Sequence, residues 1–255
     1  MNIYASHLIK TEEMQDILKE YKVNLEIVNF GSAMILDDCD HYLKEYKRDM
    51  EGFLDNREIT IHGPFIDMSP GSPDKYVRKV TMERFQQSYE AAKSLNAGRM
   101  IFHSGFIPKV SYGEEWLENS KVFWEEFIKD KIDSMKFHIE NVFDDDYRLI
   151  KELIEYINHP NFTACFDIGH ANAASKNTIK HWIEGLEDKI DYVHLHNNDG
   201  SFDYHNSLLE GSIDMSVTLE LLKAKATKAS WCLEVFNTKG IIESLKLLKK
   251  LGYLK

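Results

Sequence analysis

Cysteine is scarce in this chain. The 255 residues include three cysteines, Cys39, Cys165 and Cys232, an odd number of residues that lie far apart in the sequence. A disulfide scaffold uses several closely spaced cysteines in an oxidising compartment, so this class of protein is excluded. We therefore expect a reduced protein of the cytoplasm.

Long apolar runs are absent as well. No window holds 18 consecutive apolar residues, so the sequence predicts no transmembrane helix and no membrane partner. The first residues, MNIYASHLIKTEEM, lack a basic stretch followed by an apolar one. They do not resemble a secretory signal peptide, which agrees with a cytoplasmic protein.

Positive charge is in deficit. The chain has 31 Lys and Arg residues against 42 Asp and Glu residues, a formal net charge of −11. Proteins bind phosphate backbones with Lys and Arg, so nucleic acid is not the default partner. A local basic groove or bound cations can override a global charge, and nucleic acid therefore stays open as an alternative.

One type of segment recurs along the chain. A run rich in β-branched and aromatic residues ends in a polar residue, and a helical pattern follows it. These runs are residues 2–6, 24–30, 58–65, 99–106, 136–143, 162–170, 191–199 and 232–237. Eight alternations in 255 residues predict an α/β fold, a (β/α)8 TIM barrel, as a single domain over residues 1–255. The competing doubly wound sheet usually has fewer strands and a glycine-rich first turn, which YASHLIKTEE lacks.

Two helix ends are marked in the sequence. The segment DDDYRLIKELIEYINHP opens with three Asp residues, which suit a helix N-terminus, and closes near Pro160. The stretch LNAG, which ends at Gly98, predicts a helix stop. We expect both helices to pack on the outside of the barrel.

Polar side chains mark the carboxyl ends of six consecutive strands. Successive side chains point to opposite faces, and the isoleucines of ITIHGPF are expected to face the helices, so that His62 faces the barrel axis. The same reasoning places six residues at one rim, namely His62, His103, Glu140, Asp167, His196 and Glu234. The loops after the sixth and seventh strands add His170, Asp203 and His205.

The carboxylates among these residues favour a bound cation. Two like charges about 4 Å apart repel by about 4 kcal/mol at an effective dielectric near 20. Several such pairs would remove a large share of a typical folding stability of roughly 5–15 kcal/mol. Divalent cations relieve the repulsion and also use the imidazoles. Mixed imidazole and carboxylate ligation suits Zn²⁺, Mn²⁺, Fe²⁺ or Co²⁺ better than Mg²⁺ or Ca²⁺.

The loop residues also have plainer interpretations. Asp167 and His170, three residues apart, could be the N-cap pair of a helix. Asp203 and His205 lie in a loop, and loops are polar in any case. Both pairs are candidate metal ligands, with these alternatives left open.

Four further residues are candidates for substrate binding or for orienting the ligands. His138 and His194 lie one inward layer below Glu140 and His196, where they either orient the ligands or are plain core histidines. Glu26 faces inwards on the second strand, and His7 follows the first strand. Each either lines the pocket or ionises at the rim.

At this point the chain resembles the xylose isomerase-like barrels, a superfamily of sugar isomerases and epimerases that also includes endonuclease IV. The resemblance spans nearly the whole chain, and the motifs follow in the same order. They are HGPF with His62, FHSG with His103, IEN with Glu140, DIGHA with Asp167 and His170, HNND with His196, DYHNSLLEG with Asp203 and His205, and LEV with Glu234.

The resemblance implies a divalent metal cofactor, zinc or manganese, of one to three ions. Ketose epimerases and related isomerases of the superfamily use Glu140, Asp167, His196 and Glu234 around one ion, and the two Glu residues move protons beside a carbonyl that the metal polarises. A metal-dependent isomerase or epimerase of a sugar or sugar phosphate, with Glu140 and Glu234 catalytic, is therefore the first expectation.

Endonuclease IV, a zinc phosphodiesterase that acts on abasic DNA, is the alternative. Endonuclease IV uses all nine matching positions for three zinc ions. The segment GSAMILDDCDHYLKEY after the second strand is acidic, however, and does not look like the loop that the endonuclease inserts into DNA. The sequence names neither the sugar nor any need for phosphate, and it leaves open whether the chain forms homodimers.

Overall fold

The β-branched runs form short parallel strands that close into a barrel. The computed structural model describes residues 2–254. Its strands are β1 Ile3–Ser6, β2 Asn24–Ile27, β3 Ile59–His62, β4 Arg99–His103, β5 Lys136–Glu140, β6 Phe162–Asp167, β7 Ile190–Leu195 and β8 Ser230–Leu233. Each strand pairs with its neighbour in sequence, and β1 pairs with β8. The predicted (β/α)8 TIM barrel is confirmed.

Helices follow the strands and cover the outside of the barrel. They are α1 Thr11–Glu20, α2 Ala33–Asp37, α3 Cys39–Asp49, α4 Lys75–Ser94, α5 Gly113–Ile128, α6 Arg148–Ile157, α7 Ile168–Ala174, α8 Ile179–Leu186, α9 Met215–Lys225 and α10 Thr238–Lys250. Among residues 2–254, no helix is both long and apolar enough to cross a membrane.

The structure confirms both predicted helix ends. Helix α4 ends at Ser94, directly before LNAG, and Asn96 with φ 53° takes the left-handed turn that follows it. Helix α6 begins at Arg148, because Asp146 caps the backbone N–H of Arg148 while Asp144 turns inwards and is buried. A polar residue that precedes a helix can thus belong to the site behind it.

Strand alternation divides the core into two layers. Ile59 and Ile61 of β3 pack outwards into the large apolar layer between strands and helices. A smaller inner cluster fills the barrel and consists of Tyr4, Ile101, Cys165, Tyr192 and Cys232. The inner layer closes the barrel below the rim, so the polar residues above it sit on a packed floor.

The two ends of the barrel carry different chemistry. At the amino ends of the strands, Asp191 accepts hydrogen bonds from Arg99 at 2.9 Å and from Lys136 at 2.7 Å. These compensated charges belong to the face that serves stability in this fold. The carboxyl ends hold carboxylates and imidazoles instead, and that end is the candidate site.

Candidate metal centre

All nine predicted ligands meet at the carboxyl end of the barrel. Together with His194 they form three adjoining groups, in each of which the potential ligand atoms lie within 4.8 Å of one another; a further group, Glu140, Cys165 and His194, overlaps them. The three groups are His62, His103 and Glu140; Glu140, Asp167, His194 and Glu234; and His170, His196, Asp203 and His205. His196 and Glu234 lie one residue beyond the ends of β7 and β8, not on the strands.

The first group joins β3, β4 and β5. His62 Nε2 lies 3.2 Å from Glu140 Oε2, and His103 Nε2 lies 3.4 Å from the same oxygen. The two imidazole rings meet edge to face, with centroids 5.1 Å apart. One carboxylate oxygen therefore faces two imidazole nitrogens.

The second group gathers three carboxylates around one imidazole. His194 Nδ1 lies 2.9 Å from Glu140, 3.2 Å from Glu234 and 3.5 Å from Asp167. His194 Nε2 lies 3.1 Å from Glu26, so this imidazole connects a fourth buried carboxylate to the group. The predicted place of His194 below the rim thus brings it into direct contact with three predicted ligands.

The third group is built by α7 and the loop after β7. Asp203 Oδ2 lies 2.8 Å from His205 Nε2 and 3.2 Å from His170 Nε2. His196 Nε2 lies 3.0 Å from Asp167, which links the third group to the second. The Asp167 carboxylate also caps the backbone N–H of His170 at 2.7 Å, so the N-cap interpretation holds alongside the contact with His196.

Backbone contacts aim three of the imidazoles. The Nδ1 atoms of His62, His170 and His205 each lie 2.9 Å from a main-chain carbonyl, those of Gly63, Asn141 and Glu234 respectively. A ring that donates from Nδ1 to a carbonyl keeps the Nε2 lone pair for a metal, which is the usual support of a metal-bound histidine. In each of the three rings Nε2 points to a carboxylate of the site.

Burial and neighbouring charges shift the pKa values in opposite directions across the site. Burial lowers the pKa of His103 to about 3, so this imidazole is neutral at physiological pH. Burial would also lower the pKa of His205, but the hydrogen bond to Asp203 and the charge of Glu234 outweigh it and raise the pKa to about 9.

Imidazole protons hold the carboxylates in their charged form. Burial raises the pKa of Glu140, but the charge of His194 and the hydrogen bonds from His194 and His62 outweigh it and bring that pKa well below its ordinary value. Burial raises the pKa of Asp167 too, and His170 and His196 outweigh it in the same way. A divalent cation would take the place of these protons between the same partners.

Buried ligand atoms without hydrogen-bond partners also indicate that these residues suit a bound cation. Within residues 2–254, two buried ligand atoms have no hydrogen-bond partner, namely His196 Nδ1 and Asp203 Oδ1. A buried acceptor without a partner costs about 1–3 kcal/mol. Unused lone pairs inside a set of imidazoles and carboxylates are what Zn²⁺ or Mn²⁺ would require.

Two tight backbone features hold the third group in place. A Cβ on Gly169 would overlap the ring of His196, so α7 can approach β7 only with glycine at this position. His205 has φ 48°, a left-handed conformation that is uncommon for a residue other than glycine. Such strain persists where the surrounding structure fixes it, often at functional sites.

Two predicted supporting residues lie apart from these groups in the described part of the chain. His7 is buried, and its Nδ1 lies 2.8 Å from Tyr46 Oη on α3. His138 lies deeper in the barrel, with Nδ1 2.7 Å from Thr163 Oγ1 and its ring stacked on Tyr192. These contacts favour the core interpretation for His138, whereas Glu26 and His194 lie at the floor of the site.

Sequence reasoning missed Asn141. Its Nδ2 donates to the Asp167 carbonyl and its Oδ1 accepts from the Asp167 N–H, both at 2.9 Å, so it ties β5 to β6 beside the ligands. The signal was its place directly after Glu140 in the IEN motif. A residue next to a ligand can support a ligand of the adjacent strand.

Two phenylalanines were also missed. Phe65 packs against the rings of His62 and His103, and Phe236 stacks on His205 with centroids 4.2 Å apart. Both follow a ligand by two or three residues, in HGPF and EVF. They cover one side of the imidazoles with apolar surface and restrict how these rings can turn.

Comparison with known proteins places this geometry in a family. Residues 11–251 match the family model described as xylose isomerase-like TIM barrel. An uncharacterized protein of Methanocaldococcus jannaschii is 31% identical over 241 residues, which cover 87% of this chain and 80% of that protein.

Two solved structures are similar over almost the full length. A D-tagatose 3-epimerase-like protein is 29% identical with a TM-score of 0.78, covering 98% of this chain and 96% of that one. A Thermus thermophilus protein, solved after soaking with ZnCl₂, is 23% identical with a TM-score of 0.81, covering 98% of both chains.

A more distant relative carries the name of a nuclease. A protein of Mycobacterium leprae named probable endonuclease 4 is 23% identical over 177 residues, which cover 65% of this chain and 68% of that protein. The chain is thus similar both to a protein named epimerase-like and to one named probable endonuclease.

Proposed function

Because this chain belongs to the xylose isomerase-like TIM barrel family, we propose that it is a metal-dependent isomerase or epimerase of a small sugar. One observation carries the proposal. Glu140 and Glu234 offer oxygens within 4.8 Å of one another, in a single group with Asp167. Two carboxylates at so short a distance can act on the same reacting carbon, one as proton acceptor and the other as proton donor.

The proposed ligands divide the work. Glu140, Asp167, His196 and Glu234 would hold one divalent ion, which supplies a Lewis acid that polarises a substrate carbonyl. His194 Nδ1 contacts both Glu residues and would fix the direction of their carboxylates. His62, His103, His170, Asp203 and His205 would hold further ions or bind substrate hydroxyls.

Proton transfer is then the task of the two Glu residues. One carboxylate removes the proton from the carbon beside the carbonyl and then releases it to solvent, and the other takes up a solvent proton and delivers it to the same carbon. The imidazole contacts described above lower the pKa of both Glu140 and Glu234, which keeps them ionised and able to accept the proton.

Exchange of a substrate C–H for solvent deuterium tests the proposal. The zinc- or manganese-loaded protein is incubated in D₂O with a panel of free and phosphorylated ketoses that includes D-tagatose, and exchange is followed by NMR. We expect Glu140→Gln and Glu234→Gln to lower the exchange rate by about 10²–10⁴-fold. Glu210→Gln, in the exposed part of the loop after β7, is the matched control.

A phosphoester hydrolase is the second candidate. It is favoured by the third group of ligands, in which His170, Asp203 and His205 are residues that a single-ion isomerase does not need. The acidic segment over α2 and α3 opposes binding of a phosphate backbone at that side of the rim. Two results together would favour this candidate over the first one. The protein would cut an abasic-site duplex efficiently and lose this activity in Glu234→Gln, and it would catalyse no deuterium exchange with any ketose.

A further inference from the structure

An apolar cleft adjoins the candidate metal centre. It lies between the loops that follow β3 and β4, is bounded by the start of α5, and encloses about 800 Å³. His103, a member of the first ligand group, also lines this cleft. Small-molecule sites commonly have volumes of about 300–1,000 Å³, so the cleft is large enough to hold the part of a substrate that extends away from the metal centre.

The walls of the cleft are aliphatic and aromatic. Phe106 and Trp116 are buried and Phe65 is half-buried on its inner side, whereas Val110 and Phe143 line it while 74% and 59% exposed. Large apolar side chains left open to water beside a polar site indicate a surface that binds an apolar group. Their common position around one cavity makes binding of a ligand the natural explanation for their exposure.

Close packing holds the cleft open. A Cβ on Gly71 would overlap the indole of Trp116, so the loop after β3 can lie against α5 only with glycine here. Gly105 has φ 67°, and a side chain there would press on the backbone of Met68 and Ser69. The two loops are thus fixed against each other, and the cavity is preformed.

The charges of the residues that line the cleft determine whether it can bind a phosphate group. Among the described residues that line it, the carboxylates Asp67 and Glu115 are present, and none is Lys or Arg. Lys109 belongs to the loop after β4 but is exposed and lies outside the lining. The N-terminus of α5 borders the cleft, but Glu114 and Glu115 in its first turn offset the attraction of its N–H groups for an anion. A phosphate dianion beside these carboxylates and Asp67 is repelled, and no Lys or Arg among the described lining residues compensates.

We propose that the substrate is unphosphorylated and that its end remote from the reacting carbonyl is apolar and lies in this cleft. The class is a neutral hydroxy-carbonyl compound with an apolar terminal group, such as a deoxy sugar or an alkyl- or aryl-substituted sugar. This inference rests on the proposed function, whose panel of ketoses leaves the substrate class open.

The first arm of the test compares three substrates in the deuterium exchange assay: a free ketohexose, its 6-deoxy analogue and its 6-phosphate. We expect kcat/KM for the 6-deoxy compound to exceed that for the 6-phosphate at least tenfold. Faster exchange of the 6-phosphate would overturn the inference and leave the proposed function standing. No exchange with any of the three compounds or with the rest of the panel would remove the proposed function.

The second arm tests the cleft without catalysis. Binding of the neutral apolar fluorophore N-phenyl-1-naphthylamine is titrated with the wild type, Val110→Asp and Val217→Asp. Val217 is an exposed valine on α9 outside the cleft and serves as the matched control. We expect Val110→Asp to weaken binding at least tenfold and Val217→Asp to leave it unchanged.

Two results of the second arm would contradict the inference. Equal binding by all three proteins would mean that the cleft is not an apolar binding site. A wild-type dimer that becomes monomeric in Val110→Asp, measured by light scattering, would mean that a second copy of the chain covers the cleft. In either case the exchange assay still decides the proposed function separately.

Discussion

At the scale of single residues, the site is a set of buried charges that compensate one another. Glu26, Glu140 and Asp167 are fully buried, and each contacts at least one imidazole. An unpaired buried carboxylate would cost several kcal/mol. The histidines therefore compensate the charges of the buried carboxylates even before any ion binds. The lone pairs that bind protons in the metal-free protein can bind a metal ion instead.

The first prediction concerns Glu26, which contacts His194, the residue that in turn contacts the proposed ligands Glu140 and Glu234. Its Oε1 accepts from Ser6 Oγ at 2.9 Å, and its Oε2 lies 3.1 Å from His194 Nε2. Glu26→Gln removes the charge that orients His194, so we expect zinc affinity to fall by about 10–100-fold. Competition with a chromophoric chelator measures this affinity.

Glu58→Gln is the matched control for Glu26. Glu58 accepts a hydrogen bond from Tyr4 Oη just before β3, at the opposite end of the barrel. Unchanged zinc affinity in both variants, each folded by circular dichroism, would show that Glu26 does not support the site.

Much of the site at this scale could be predicted, and the remainder depends on side-chain depth. Alternation along strands identifies which face a residue occupies, and this placed Glu140 and Asp167 correctly. It does not determine how far a side chain reaches along the barrel axis, so the contact of His194 with three ligands was not foreseen. The support from Asn141 depends on pairing between β5 and β6, which local sequence does not show.

At the scale of elements, α7 controls the position of His196. This helix begins directly after β6, and Gly169 in its first turn lies against the His196 ring. Any side chain at Gly169 must displace that ring or push the helix outwards. The close approach therefore couples the second and third ligand groups.

The second prediction follows from this contact. Gly169→Ala should lower zinc affinity at least tenfold, because His196 must leave its place beside Asp167. Isothermal titration of the metal-free protein measures the affinity and the number of ions. Gly98→Ala is the control, since a Cβ there meets no atom within 4 Å. Equal zinc binding by the two variants would contradict the assigned role of α7.

The loop between β5 and α6 contains a buried acid that is separate from the ligands. Asp144 Oδ2 accepts from Ser104 Oγ at 2.7 Å and from the Val142 N–H at 3.1 Å, which ties this loop to the one after β4. Burial raises the pKa of Asp144 to about 7, despite those hydrogen bonds. The folded protein therefore keeps a proton on Asp144 that the unfolded chain has released.

The third prediction is a dependence of stability on pH. Below about pH 4 Asp144 is protonated in both the folded and the unfolded chain, so it does not lower the free energy of unfolding. As the pH rises from about 4 to 7 the unfolded chain releases this proton and the folded protein keeps it, so the free energy of unfolding falls by up to about 4 kcal/mol. Relative to wild type, Asp144→Asn should therefore become more stable over this range. Urea unfolding of metal-free protein at a series of pH values measures it.

Asp145→Asn controls for the Asp144 substitution, because Asp145 is exposed in the same loop. Its difference from wild type should stay flat across the series. If the Asp144→Asn difference is equally flat, Asp144 is ionised in the folded protein throughout and the loop is not held as described.

Element ends are where sequence reasoning was least accurate. The spacing of the runs predicted all the strands, but β7 and β8 end one residue before His196 and Glu234. Of the Asp residues that were expected to start α6, Asp146 does cap the helix, whereas Asp144 is a buried loop contact. Ends depend on tertiary hydrogen bonds, and a short sequence window does not contain those partners.

At the scale of the whole molecule, the barrel separates stability from chemistry. The compensated charges around Asp191 close one end, and the ligand groups and the apolar cleft occupy the other. The strand pattern predicted this division, but not the cleft. The cleft arises where three loops from distant parts of the sequence pack together, and neither composition nor periodicity reveals that packing.

The final prediction concerns the metal centre itself. Crystals of the protein soaked in zinc are measured on both sides of the zinc absorption edge, and the anomalous difference map locates the ions. We expect a peak about 2.0–2.3 Å from the ligand atoms of Glu140, Asp167, His196 and Glu234. Ions found only elsewhere on the protein, with no peak within coordination distance of these four side chains, would contradict the account.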